Sequence, residues 1–175
     1  GILAAAKAGV TSIEHCTMVD DEGIEYMLKN NVAAVPTLIV LHVLADGLSK
    51  GVAQSAVDKA AYLLPKHADN IRNDYERGVR CVFGTDTGTP LGPHGYQHKE
   101  FVYMAEAGIS PEDILLAATR YAAELLKWED QIGTIQPGKF ADIIAVKGNP
   151  LEDISSLNRD TISFIMKDGI VYKNE

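Results

Sequence analysis

With 175 residues, 46% of them hydrophobic and 23% charged, the chain can bury one globular core and carry a small appendage. Its net charge of −8, with lysines and arginines scattered along the chain, argues against nucleic acid and anionic membrane as partners. No apolar run reaches the ~18 residues of a membrane span, because Pro36 and His42 interrupt the one from Val32 to Leu44.

The first segment, Ile2 to Ala8, reads as helix interior stopped by Gly9. It has no capping residue, no initiating Met and no basic leader, as expected of a piece of a longer protein whose targeting signal would lie elsewhere. Val10 to His15 reads as a short strand. Asp20 or Asp21 then caps a helix to about Asn30, with Ile24, Met27 and Leu28 on one face. Val32 to Pro36 is a second strand, with the proline at its end, where it is tolerated. From Ser49 to Arg77 the stripe Val52, Ala56, Ala60, Leu63 and Leu64 predicts a helix, kinked or divided at Pro65 and stopped by Gly78. In it His67 reads as a solvated residue.

Val79 to Phe83 is a third strand, followed by a polar loop, Thr87 to Gly95, with the glycine and proline content of an active-site loop. A helix follows from Gln97 to Ala107, with His98 and Glu100 read as surface residues. Ser110-Pro111-Glu112-Asp113 is a strong start for another helix, to about Lys127. The texture then changes. Strands are predicted at Ala141–Val146, Thr161–Met166 and Ile170–Tyr172, with an Asp168-Gly169 hairpin between the last two. Residues 1–130 thus form a βα array and 131–175 a small antiparallel sheet. The two cysteines, Cys16 and Cys81, are too few for a disulfide framework. They read as buried thiols in a reducing compartment, which favours the cytoplasm.

Two strand ends carry chemistry-bearing side chains. Ser12-Ile13-Glu14-His15 ends in an imidazole, and Cys81-Val82-Phe83 leads into Gly84-Thr85-Asp86-Thr87-Gly88 with a carboxylate. They lie about two βα units apart, a spacing that lets both face one pocket. Each has a structural alternative: His15 can simply pack at its strand end, and Asp86 can cap its own loop. Asp86-Thr87-Gly88 also matches the aspartic-protease signature. That mechanism needs a second such aspartate, and the βα context is wrong for it. His42, after the second strand, and His94, in the loop after the third, are candidates to meet substrate. Glu14 should point to the side of its strand opposite His15.

Several stretches together resemble the amidohydrolase superfamily of metal-dependent hydrolases, in its Xaa-Pro dipeptidase and imidazolonepropionase-like branch. They are Ala8-Gly9-Val10-Thr11-Ser12-Ile13-Glu14-His15, Val35-Pro36-Thr37-Leu38, Phe83-Gly84-Thr85-Asp86-Thr87-Gly88, Pro93-His94-Gly95 and Ile132 to Val146 with Gly148-Asn149-Pro150-Leu151. The resemblance implies an α/β fold, the C-terminal part of a (β/α)8 TIM-type barrel. Its strands six, seven and eight would end in His15, Thr37 and Asp86, and part of a small β-sandwich would be appended. It implies His15 and Asp86 as ligands of one or two divalent ions, zinc first, with manganese or iron as alternatives. Asp86 would shuttle a proton during cleavage of an amide C–N bond in a small molecule or dipeptide, as in a prolidase. His94 and His42 would contact substrate. The remaining family ligands, on strands one, four and five, would precede Gly1. The chain is then either completed by a missing N-terminal half or by another copy in a homo-oligomer, or is a catalytically silent fragment or assembly partner.

Overall fold

The computed structural model describes residues 1–89 and 91–175. Strand β1 (Ser12–Glu14) follows helix α1 (Ile2–Ala8), whose end is set by Gly9 in the left-handed conformation. Helix α2 (Asp21–Lys29) connects β1 to β2 (Ala33–Val35), which lies parallel beside it. The Asp20 carboxylate caps α2 by accepting from the Gly23 N–H at 2.7 Å, and Asp21 and Glu22 reinforce the helix dipole.

The third predicted strand, Val79 to Phe83, is reduced to a parallel bridge between Ala34 and Cys81. Ala34 N–H donates to Arg80 O at 3.0 Å, and Val82 N–H donates to Ala34 O at 2.8 Å, so the backbone pairs around one residue only. The chain then comes so close to β2 at Gly84 that a Cβ there would lie 2.4 Å from Val35 Cγ1, so any larger residue would force the valine or the backbone to shift. β2 is thus the central element of the three, flanked by β1 and residues 79–83.

Helix α3 (Leu38–Ala45) leaves β2 directly, where the sequence showed only an apolar run. Helix α4 (Gln54–Glu76) is continuous through Pro65 over 23 residues, so the proline does not divide it. Helix α5 (Lys99–Glu106) leads to α6 (Pro111–Ala118), capped by Ser110 and begun by Pro111 as predicted. The predicted run to Lys127 breaks at Thr119, and α7 (Arg120–Leu125) follows. Ala117 O, left free by the break, accepts the Phe83 N–H at 3.2 Å. Gly133 packs back on this break: a Cβ there would meet the Ala123 Cβ at 2.6 Å.

The C-terminal strands β3 (Ile143–Val146), β4 (Ile162–Lys167) and β5 (Ile170–Asn174) form an antiparallel sheet in that order. Ile154 and Leu157, between β3 and β4, join the core of the βα part. That core centres on Ile24, Met27, Ile71, Met104 and Ile114, all fully buried. Ile170, Val171 and Tyr172 on β5 are exposed. No helix among the described residues is long and apolar enough to cross a membrane.

Candidate functional site

The chain leaves all three parallel elements at the same end, each time through a residue in the left-handed region: His15 (φ 65°), Thr37 (φ 50°) and Asp86 (φ 50°). Histidine and aspartate tolerate this conformation, but a β-branched threonine is a genuine outlier. Such strain costs about 1–3 kcal/mol and persists only where neighbours over-determine it.

At Thr37 the neighbours do so. Glu100, on α5, accepts the Leu38 N–H at 2.8 Å and the Ile39 N–H at 2.7 Å. The first turn of α3, which has no cap of its own, is thereby satisfied from another helix. His67, on α4, places Nε2 2.8 Å from Pro36 O. Both side chains are buried, contrary to their reading as surface residues. Their positions carried a signal. His67 falls on the buried stripe Ala60, Ile71 and Asp74, and Glu100 is one turn from buried Met104. Burial pushes the Glu100 carboxyl up to about 7, although its two backbone donors pull the other way. Burial also lowers the His67 imidazole, despite its bond to Pro36 O.

The hydrogen bonds assign the His15 tautomer. Thr37 Oγ1 lies 2.7 Å from Pro36 O, which can only accept, so the single hydroxyl proton points there. His15 Nδ1 lies 2.6 Å from the same Oγ1 and must therefore donate to it. The Nε2 lone pair of a neutral His15 is left for another electrophile. The His15 backbone N–H meanwhile donates to Val35 O at 2.8 Å, tying the residue to β2. Glu14 accepts from the Ser12 hydroxyl at 2.6 Å at the exposed side.

Asp86 is exposed on the wall of a cleft of about 760 Å³ between α3 and the loop after Phe83. Ile39, Val43, Leu91 and Tyr96 make its apolar wall, and Lys50 and Lys99 supply cations. Thr85 and Thr87 bracket Asp86 and share a 2.5 Å hydroxyl contact. The exposed His94 comes back over Gly88: its Nε2 is 3.7 Å from where a Cβ at Gly88 would sit, and its Nδ1 is 3.4 Å from Gln97 Nε2. His42 lies elsewhere. It stacks on Tyr103, with ring centroids 3.6 Å apart, and lines a small cavity of about 90 Å³ with His67. Its place on α3, rather than in a loop, turns it toward α4 and α5. Burial lowers its pKa.

Among the described residues no group of three or more His, Cys, Asp or Glu side chains is arranged to hold a metal ion. His15 and Asp86 nevertheless suit one as part of a larger set. An imidazole with a free Nε2 and its other nitrogen fixed by a hydrogen bond, plus a carboxylate, is a donor pair for a borderline cation such as Zn²⁺.

The profile of the amidohydrolase family matches residues 1–171. Over 99% of its length the chain is 30% identical to ochratoxinase from Aspergillus niger, and over 85% it is 32% identical to imidazolonepropionase from Caldanaerobacter subterraneus subsp. tengcongensis. A solved Xaa-Pro dipeptidase with bound methionine superposes with a TM-score of 0.88 at 41% identity, covering 99% of this chain. A solved prolidase complexed with N-methylphosphonate-L-proline gives 0.89 at 30% identity. The chain spans 36% of ochratoxinase, 31% of the imidazolonepropionase and 42% of the dipeptidase.

Proposed function

Because the chain belongs to the amidohydrolase family, we propose that the full-length protein is a metal-dependent hydrolase that cleaves an amide C–N bond, with dipeptides of the prolidase type as its substrates. The observation that carries this reading is the pair of side chains at the same end of the two segments that flank β2: a histidine whose Nε2 lone pair is set free and a carboxylate that opens onto a cleft. In this reading β1, β2 and residues 79–83 are strands six to eight of the family barrel, residues 1–130 belong to the barrel and 131–175 to the appended sandwich.

His15 Nε2 and Asp86 would hold the ion, together with ligands from the rest of the protein. When bound, a divalent ion polarises the scissile carbonyl and makes water acidic enough to attack near neutral pH. Asp86 takes a proton from the attacking water as the C–O bond forms. It returns that proton to the amide nitrogen as the C–N bond breaks, so the leaving group departs as a neutral amine. The apolar wall of Ile39, Val43, Leu91 and Tyr96 receives an apolar side chain. His94, in the loop beyond Asp86, meets the substrate carboxylate. His42 stacks on Tyr103 and lines the small cavity beside His67, so contact with substrate would come from that side and not from the Asp86 cleft.

Substituting Asp86→Asn in the full-length enzyme should lower kcat for dipeptide hydrolysis by about 10²–10⁴-fold with little change in fold. Undiminished turnover would remove Asp86 from the role, and turnover indifferent to a chelator would remove the metal.

A second reading rests on the absence of a three-donor group among the described residues: the 175-residue chain alone is catalytically silent. Stoichiometric, tight zinc binding by this chain in isolation would contradict it.

A further inference from the structure

We infer that His67 is a positioning residue for His15: from helix α4 it fixes, through the Pro36 carbonyl and the Thr37 hydroxyl, which nitrogen of His15 carries the proton. The chain of bonds, buried at His67, Pro36 and Thr37 and part-buried at the exposed His15, runs from His67 Nε2 to Pro36 O at 2.8 Å, from Thr37 Oγ1 to Pro36 O at 2.7 Å, and from His15 Nδ1 to Thr37 Oγ1 at 2.6 Å. Pro36 O is an acceptor with two lone pairs, and both are filled. His67 must therefore donate from Nε2, and its Nδ1 faces the Thr17 hydroxyl at 3.4 Å as the acceptor.

Without His67 the Pro36 carbonyl keeps one donor and loses the contact that fixes its direction. The peptide between Pro36 and Thr37 leads into the left-handed Thr37, so it has a nearby relaxed alternative. Once the carbonyl turns, the Thr37 hydroxyl is free to reverse and donate to His15 Nδ1. The proton on His15 then moves to Nε2, and the lone pair that faced outward is lost. His67 reaches no part of the cleft that Asp86 lines; it acts only through this relay.

The tautomer can be read without metal or substrate. In the metal-free full-length protein labelled with ¹⁵N-histidine, at pH 8, nitrogen–proton correlation spectra should show His15 protonated at Nδ1 and His67 at Nε2. In His67→Phe, His15 should change to Nε2–H or to an averaged mixture, whereas His67→Gln, which restores an N–H donor near Pro36 O, should keep the wild-type pattern. Because a hydrogen-bonded partner behind a ligating imidazole tunes its basicity, the affinity for Zn²⁺ alone should fall about 10–100-fold in His67→Phe and recover in His67→Gln. This last arm rests on His15 being a ligand. If the tautomer changes while Zn²⁺ affinity does not, that reading fails and the positioning role stands. A wild-type His15 protonated at Nε2, or a folded His67→Phe protein with unchanged His15 signals, overturns the inference. Should His67→Phe fail to fold, the wild-type and His67→Gln spectra decide it.

Discussion

Two carboxyl groups lie wholly inside the protein, and their surroundings differ. Glu100 faces the turn after β2, where both of its oxygens accept a backbone N–H. Asp74, in the last turns of α4, has neither oxygen hydrogen-bonded. Burial pushes each up to about 7, and at Asp74 the nearby Cys16 thiol and Arg77 pull the other way. The Cys81 thiol beside it is pushed up to about 12 by the same burial. The same desolvation thus has two uses. At Glu100 it is offset by bonds that hold a strained threonine and start a helix. At Asp74 no backbone donors offset it, and the acid stays protonated among thiols below about pH 7.

The largest expected difference comes from removing the two groups in turn. Glu100→Ala strands two buried N–H groups, at about 1–3 kcal/mol each, and opens a cavity. Chemical denaturation of the full-length protein should show a loss of about 3–5 kcal/mol. Asp74→Asn gives up at most a weak contact with the Cys16 thiol and abolishes an ionisation that the interior opposes. At pH 8 it should raise stability by about 1–3 kcal/mol. Equal losses in the two variants would mean that Asp74 has a bonded partner after all.

The pH dependence sharpens the contrast. Both folded-state values lie above the ordinary values of 3.8 and 4.5. Below about pH 4 the folded and unfolded chains both carry these protons. Between about pH 4 and 7 the unfolded chain releases protons that the folded chain retains, so stability falls as pH rises and levels off above about 7. Each pH unit by which a folded value exceeds the unfolded one corresponds to about 1.4 kcal/mol. The fall should therefore amount to at most about 8 kcal/mol for the pair, and Asp74→Asn should remove the Asp74 share. A profile just as steep in Asp74→Asn would place the titration elsewhere.

The same contrast explains what the sequence revealed. Capped helices were legible because their signals are local: Asp20 before α2 and Ser110-Pro111 before α6 act within one turn. The strand ends at His15 and Asp86 were legible because short apolar runs stop there. The clamp on Thr37 was not, because its donors and acceptors are about 30 and 60 residues apart in sequence and meet only through tertiary packing. A glutamate and a histidine on helices read as solvated by residue type, and only their register with Met104, Ala60 and Ile71 placed them inward. Helix α3 was hidden because an unbroken apolar run has no period, and its cap comes from α5. The close approach of Gly84 to Val35, just beyond the bridge that stands in place of the third strand, was equally invisible locally.

The smallest effect tests which side of His67 matters. Its ring has two contacts: a short one to Pro36 O at 2.8 Å and a long one to the Thr17 hydroxyl at 3.4 Å. At 3.4 Å a hydrogen bond retains little of its strength, and half-buried Thr17 lies where water can replace its hydroxyl. Thr17→Ala should therefore cost no more than about 0.5 kcal/mol in denaturant titration and leave His67 protonated at Nε2. A loss above about 1.5 kcal/mol, or a His67 ring that changes tautomer, would mean that Thr17 holds the ring and that the Pro36 carbonyl is only its neighbour. The distances favour the opposite order, with the backbone carbonyl as anchor and the threonine as a minor support.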